Sequence, residues 1–69
     1  MSNALRRFRK QQGFTIVELS ARTGVSTSVI VGVERYGLRP GPSVRRRLSA
    51  ALGIDESVLW PAEVNDGEV

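Results

Sequence analysis

The sequence predicts an all-α fold, a compact bundle of five helices. Three observations carry that expectation. Helical stop and start residues recur along the chain: Gly13 then Thr15, Gly24 then Ser26, and Gly53 then Asp55. Between them, apolar residues repeat at helical spacing, as in Leu5–Phe8 and Val44–Leu48–Ala51–Leu52. No segment reads convincingly as a strand.

Each element has its own reason. The first helix spans about Asn3 to Gln12, with Leu5 and Phe8 on one face and Gly13 as its stop. The second begins after Thr15. Thr15-Ile16-Val17-Glu18 is a capping box, in which hydroxyl and carboxylate each take up a free amide of the helix start. It ends near Thr23, where Gly24 can adopt the positive φ of a sharp turn. The third follows Ser26 and runs to about Tyr36. Its Val29-Ile30-Val31-Gly32-Val33 content favours a strand by propensity. Capping by Ser26 and the adjacent second helix override that preference. Residues 37–42, GLRPGP, form a loop. Ser43 is expected to cap a fourth helix ending near Leu52, and Asp55 a short fifth through Val58 and Leu59.

The expected core is Leu5, Phe8, Phe14, Leu19, Val25, Ile30, Val33, Leu48, Leu52, Ile54, Val58 and Leu59, with Trp60 over one end. Residues 1–61 form one domain, and residues 62–69 an acidic tail expected to fray.

Composition removes several functions. The 69 residues contain no Cys and no His, so they offer no disulfide, no thiol nucleophile, and neither of the commonest general bases or metal ligands. There is no glycine-rich phosphate loop and no plausible pair of catalytic carboxylates. No enzyme activity and no cofactor are expected. No apolar run reaches the length of a membrane span, and the N-terminus lacks the apolar block of a secretory signal. A cytoplasmic, nucleoid-associated location fits, with no membrane partner. Charge is uneven. Residues 1–54 hold all ten Lys and Arg against two carboxylates, a net +8, while residues 55–69 carry five carboxylates and no cation. A basic body fits a polyanionic partner, although solvation alone would also explain it.

Ile16 to Arg35 is the most informative stretch. Two short helices meet at Gly24, with Leu19, Ser20, Val25, Ile30 and Val33 where such a unit needs apolar or small residues. That is the pattern of a helix-turn-helix. Together with Phe8-Arg9 before Gly13, Thr15, Glu18, Gly24-Val25-Ser26, Glu34, and Leu52-Gly53-Ile54 with Leu59, it resembles the Cro/C1-type (Xre) helix-turn-helix family from about Leu5 to Trp60. The resemblance implies a lambda-repressor-like DNA-binding domain, operator recognition, frequent dimerisation and a role in transcription regulation. It also implies a structural salt bridge between Arg9 and Glu34, tying the first helix to the end of the third. Arg9 bound to phosphate, with Glu34 exposed, is the alternative.

Three features depart from the family. Ile16 stands where a phosphate-touching glutamine is common. The third helix lacks long amides. Arg45 occupies a usually apolar place, which could rotate or shift the fourth helix.

Docking of the third helix in a major groove assigns the contacts. With Ile30 and Val33 inward, base contacts fall to Thr27, Ser28, Val31 and Arg35, with Gly32 allowing close backbone approach. Helix capping, solvent or a subunit contact would serve the same residues without DNA. Phosphate contacts fall to Arg22, Ser26, Arg39, Ser43 and Arg46, helped by free amides at the start of the fourth helix. Arg45, Arg46 and Arg47 cannot share one face, because successive helix positions are ~100° apart. The partner implied is double-stranded DNA, bound by a homodimer, with Tyr36, Leu38 and the Trp60 region as candidate dimer surfaces. A small repressor is the leading function. The alternative is an antitoxin-like or adaptor module that binds a protein partner.

Overall fold

A computed structural model describes residues 4–61. Among them are five helices and no strand: α1 Ala4–Gln11, α2 Ile16–Thr23, α3 Thr27–Tyr36, α4 Pro42–Leu52 and α5 Glu56–Leu59. Asn3, expected to begin the first helix, and the acidic tail 62–69 lie outside the described residues. Gln12 falls just beyond α1, in the turn that leads to Gly13.

Caps define most of the boundaries. The Thr15 hydroxyl accepts from the Glu18 amide at 3.0 Å, and the Glu18 carboxylate accepts from the Thr15 amide at 2.9 Å. Ser26 accepts from the Val29 amide at 3.2 Å, starting α3 despite its strand-favouring content. Asp55 caps α5 through the Ser57 amide.

The start of α4 differs from expectation. Gly41, not Ser43, is the N-cap, and Pro42 is the first helical residue. Proline lacks an amide hydrogen that this position would leave unpaired, and its fixed φ suits a first turn. The helix therefore begins two residues early and puts Ser43 inside it. Gly41 has no side chain to cap with, so no side-chain hydrogen bond closes this end.

The core comprises Leu5, Leu19, Val25, Ile30, Val33, Leu48, Leu52 and Leu59. Burying each such side chain contributes roughly 1.5–3 kcal/mol. Phe8, Phe14, Ile54 and Trp60 are half-buried against this cluster, as are Ile16, Val29, Val44 and Ala51. Val58 is a correction: it is exposed. On a one-turn helix, adjacent residues point ~100° apart, so Leu59 takes the inward direction and Val58 cannot share it.

Within this bundle, α2 packs on both α3 and α4, α1 packs on α3, and α5 closes against α4 and α1. Thus α3 is held from behind by α1 and α2. Its inward residues, Ile30 at 0% and Val33 at 1% exposure, anchor one face, and the opposite face is left outward.

Candidate nucleic-acid interface

The turn between α2 and α3 is locked from several directions. Gly24 follows α2 with φ 74°, a left-handed conformation that costs a residue with Cβ about 1–2 kcal/mol. Its amide donates to the Ser20 carbonyl at 2.9 Å. Thr23, buried just before it, donates its hydroxyl to the Leu19 carbonyl at 2.8 Å and accepts from the Val25 amide at 3.1 Å. This hydroxyl therefore satisfies groups on both sides of the bend. Arg47 reaches the turn from α4, with Nη1 3.5 Å from the Thr23 carbonyl. The helix end near Thr23 is legible in the sequence; the bridging role of its hydroxyl and the arrival of Arg47 are not.

Behind α3, the Arg9 guanidinium meets Glu34 in a two-point contact. Nε donates to Oε2 at 2.7 Å and Nη2 to Oε1 at 2.9 Å. Nη1 donates to the Phe14 carbonyl at 2.7 Å. The two side chains are 8% and 2% exposed. The hydrogen bonds to Glu34 raise the Arg9 pKa above its ordinary value, so this cation stays charged through any accessible pH. The pair joins α1 to the last turn of α3 and fixes the rotation of that helix. Gln12 adds a second long-range tie, donating to the Leu52 carbonyl at the end of α4 at 2.6 Å. No local pattern around Gln12 pointed to this role.

The outward face of α3 has a different chemistry. Thr27, Ser28 and Arg35 are exposed, and Val31 and Gly32 are half-buried. Thr27, Ser28, Val31, Gly32 and Tyr36 line one open hollow of about 290 Å³. Arg35 is not among its lining residues. Tyr36 is 79% exposed. The close approach at Gly32 is made within the chain: a Cβ there would lie 3.1 Å from Leu38 Cδ2. Leu38 is brought back by its amide, which donates to the Gly32 carbonyl at 3.1 Å. Gly32 therefore makes room for Leu38, a residue of the following loop rather than of DNA. The only acidic residue of α3, Glu34, is the one turned inward.

The remaining cationic and hydroxyl candidates are distributed around this helix pair. Arg22 is exposed on α2, its guanidinium 4.9 Å from the Phe14 ring centroid. Ser26 is exposed and already accepts a capping hydrogen bond, leaving its hydroxyl proton available to donate. Arg39 is exposed in the loop after α3. Ser43 is exposed in the first turn of α4, beside the uncapped helix start, and Arg46 is exposed on the same helix.

The three consecutive arginines of α4 take three separate directions. Arg45 is half-buried, donates to the Pro40 carbonyl at 3.0 Å and lies 3.8 Å from Glu56. It ties the loop and α5 to α4, which accounts for a cation at a usually apolar place. Arg47 serves the turn, and Arg46 points to solvent. Ile16 packs against the core.

No helix among the described residues is long and apolar enough to cross a membrane. Among those residues there is also no cluster of potential metal ligands.

Comparison with known proteins agrees with this geometry. The model of the Helix-turn-helix family matches residues 5–59. The HTH-type transcriptional regulator SlrR of Bacillus subtilis (strain 168) is 36% identical over 61 residues, covering 86% of this chain and 40% of that protein. The chain thus spans well under half the length of this curated relative. No solved structure gives a significant match. With a left-handed glycine turn between α2 and α3, a buried Arg9–Glu34 brace and a family match over most of its length, this chain belongs to the Cro/C1-type helix-turn-helix family.

Proposed function

We propose that this chain binds double-stranded DNA as a transcriptional regulator, a small repressor that lays α3 in the major groove. The observation that carries the reading is the division of α3 into two faces. Its carboxylate is turned inward onto Arg9, and its outward face presents hydroxyls and a guanidinium without an acid. Such a face approaches a polyanion without like-charge repulsion. The regulatory name of the B. subtilis relative supports the same role.

In this reading Thr27, Ser28, Val31 and Arg35 meet base edges. Arg22, Ser26, Arg39, Ser43 and Arg46 position the domain on phosphates. The exposed start of α4 supplies amides in addition. The protein acts as a homodimer on a two-fold site, because one small interface seldom gives tight specific binding. Its place of action is the cytoplasm, on the nucleoid.

Selection of bound sequences from a random duplex pool tests this. Thr27→Ala or Ser28→Ala changes the selected sequence. Arg22→Ala or Arg39→Ala weakens all sites alike. Affinity falls steeply with salt, since displaced counterions drive binding. Weak binding without a salt slope would favour a second reading, an antitoxin-like or adaptor module. That reading draws on the exposed Tyr36 and Leu38 beside the end of α3.

A further inference from the structure

We propose that the hollow on the outward face of α3 is a subsite for a 5-methylpyrimidine, receiving the C5-methyl edge of thymine or of 5-methylcytosine in the major groove. The proposal rests on α3 being the major-groove helix and names what that helix recognises.

The lining decides the ligand. Val31 and Gly32 provide an apolar floor, Tyr36 an aromatic wall, and Thr27 and Ser28 a rim of two hydroxyls. Leu38 packs against Gly32 and thickens the apolar side. There is no amide side chain in the lining to bond adenine in two places, and Arg35, which could reach guanine, stands outside it. Among the groups that base pairs expose in the major groove, the thymine methyl is the apolar one. Beside it lies the O4 acceptor, within the chemistry of a hydroxyl donor.

A hydroxyl also accepts, so the same rim can meet the N4 donor of cytosine. The rim therefore separates pyrimidines poorly, and discrimination falls on the methyl. Thymine should be preferred to uracil, and 5-methylcytosine to cytosine, through the same contact. The hollow itself is uncharged, and the charge of the helix face around it favours DNA as the occupant. The exposed side of α3 carries Arg35 and no carboxylate.

The test uses a duplex recovered from the random-pool selection. Each thymine is replaced singly by deoxyuridine, and each cytosine singly by 5-methylcytosine. Uracil at the contacted position should weaken binding about fourfold, the effect of uncovering one buried methyl. Where cytosine occupies that position, methylation should strengthen binding by a similar factor. Val31→Ala should bring the thymine-to-uracil ratio close to one while leaving the salt slope unchanged. Tyr36→Ala, at an exposed position, should lower the same ratio without disturbing the fold.

Uracil tolerated within measurement error at every position overturns the proposal, as does a ratio that survives both substitutions. A hollow covered instead by a second copy of the chain would show as a change of oligomeric state in Val31→Ala with no thymine preference to lose. Sequence-selective, salt-dependent binding that ignores uracil removes only the methyl assignment. Absence of salt-dependent binding removes the DNA reading beneath it.

Discussion

The two faces of α3 differ in almost every physical respect. On the inner face, Ile30 and Val33 are excluded from solvent and Glu34 is held by two hydrogen bonds from Arg9. On the outer face, Thr27, Ser28, Val31, Gly32 and Tyr36 line an open hollow. One helix therefore carries both a solvent-excluded, ion-paired face and an open one. The difference separates two tasks. The inner face sets the rotation and position of α3, and the outer face is free to be judged by what it touches. A carboxylate on the outer face would repel a phosphate backbone; the same group inside becomes part of the frame.

The largest effect should come from the inner face. Glu34→Ala leaves the Arg9 guanidinium buried without its counter-charge, and such losses cost ~3–5 kcal/mol. Chemical denaturation should show a loss of unfolding free energy of that size, a large share of the stability of a small domain. A loss below about 1 kcal/mol would mean that water reaches the pair and that it is no brace.

The turn comes next. Gly24→Ala forces a side chain into a left-handed backbone at a cost of about 1–2 kcal/mol. Arg47 Nη1, 3.3 Å from the new Cβ, must also yield. Thermal melting should show the drop, and DNA affinity should fall with it, since the turn sets the angle of α3. Unchanged affinity in a destabilised variant would show that α3 is positioned by its inner face alone.

A smaller change is expected at the start of α2. Thr15→Ala removes half of the capping box and should cost about 1 kcal/mol. The box also has a pH signature. Hydrogen bonds from the Thr15 backbone and side chain lower the Glu18 pKa below its ordinary value of 4.5. A carboxyl depressed in the folded state contributes stability that is complete above the unfolded value and fades as pH falls through the folded one. Wild type should therefore lose stability below about pH 4.5 more steeply than Glu18→Gln, as followed by denaturation across the acid range.

The outer face should barely register in stability. Ser28→Ala and Arg35→Ala are expected within about 0.5 kcal/mol of wild type by the same denaturation assay. A marked destabilisation of either would mean that the outward surface is part of the frame, and the contrast between the faces would collapse.

Much of the architecture was legible because its signals are local. A hydroxyl before a helix and a carboxylate three residues later meet within one turn, so Thr15–Glu18 and Ser26 could be recognised without knowing anything distant. The same holds for Gly24, where backbone conformation is a property of the residue itself. Where two local signals compete, only one of them sets the boundary. Ser43 is a good cap in isolation, but Pro42 is a better first residue, and α4 begins with proline. Val58 and Leu59 are equally apolar in sequence. A single turn has one inward direction, and the packing of α5 against α4 and α1 gave it to Leu59.

The site divides along the same line. Periodicity alone placed Ile30 and Val33 inside and Thr27, Ser28, Val31 and Arg35 outside, since 3.6 residues per turn relates every position on a helix to every other. Periodicity says nothing about residues from other elements. The hollow needed Tyr36, at the end of the helix, to form its wall. Gly32 needed Leu38, returned by the loop, to reveal what its missing side chain makes room for. Arg45, Arg46 and Arg47 look alike in the chain, yet the first ties α4 to the loop and α5, the last reaches the Gly24 turn, and the middle one faces solvent. Such assignments depend on contacts between residues far apart in sequence, whose distances are set only when the whole bundle closes. Local hydrogen bonding and helical period therefore account for the elements and the two faces of α3, whereas the shape of its outer surface arises from long-range packing.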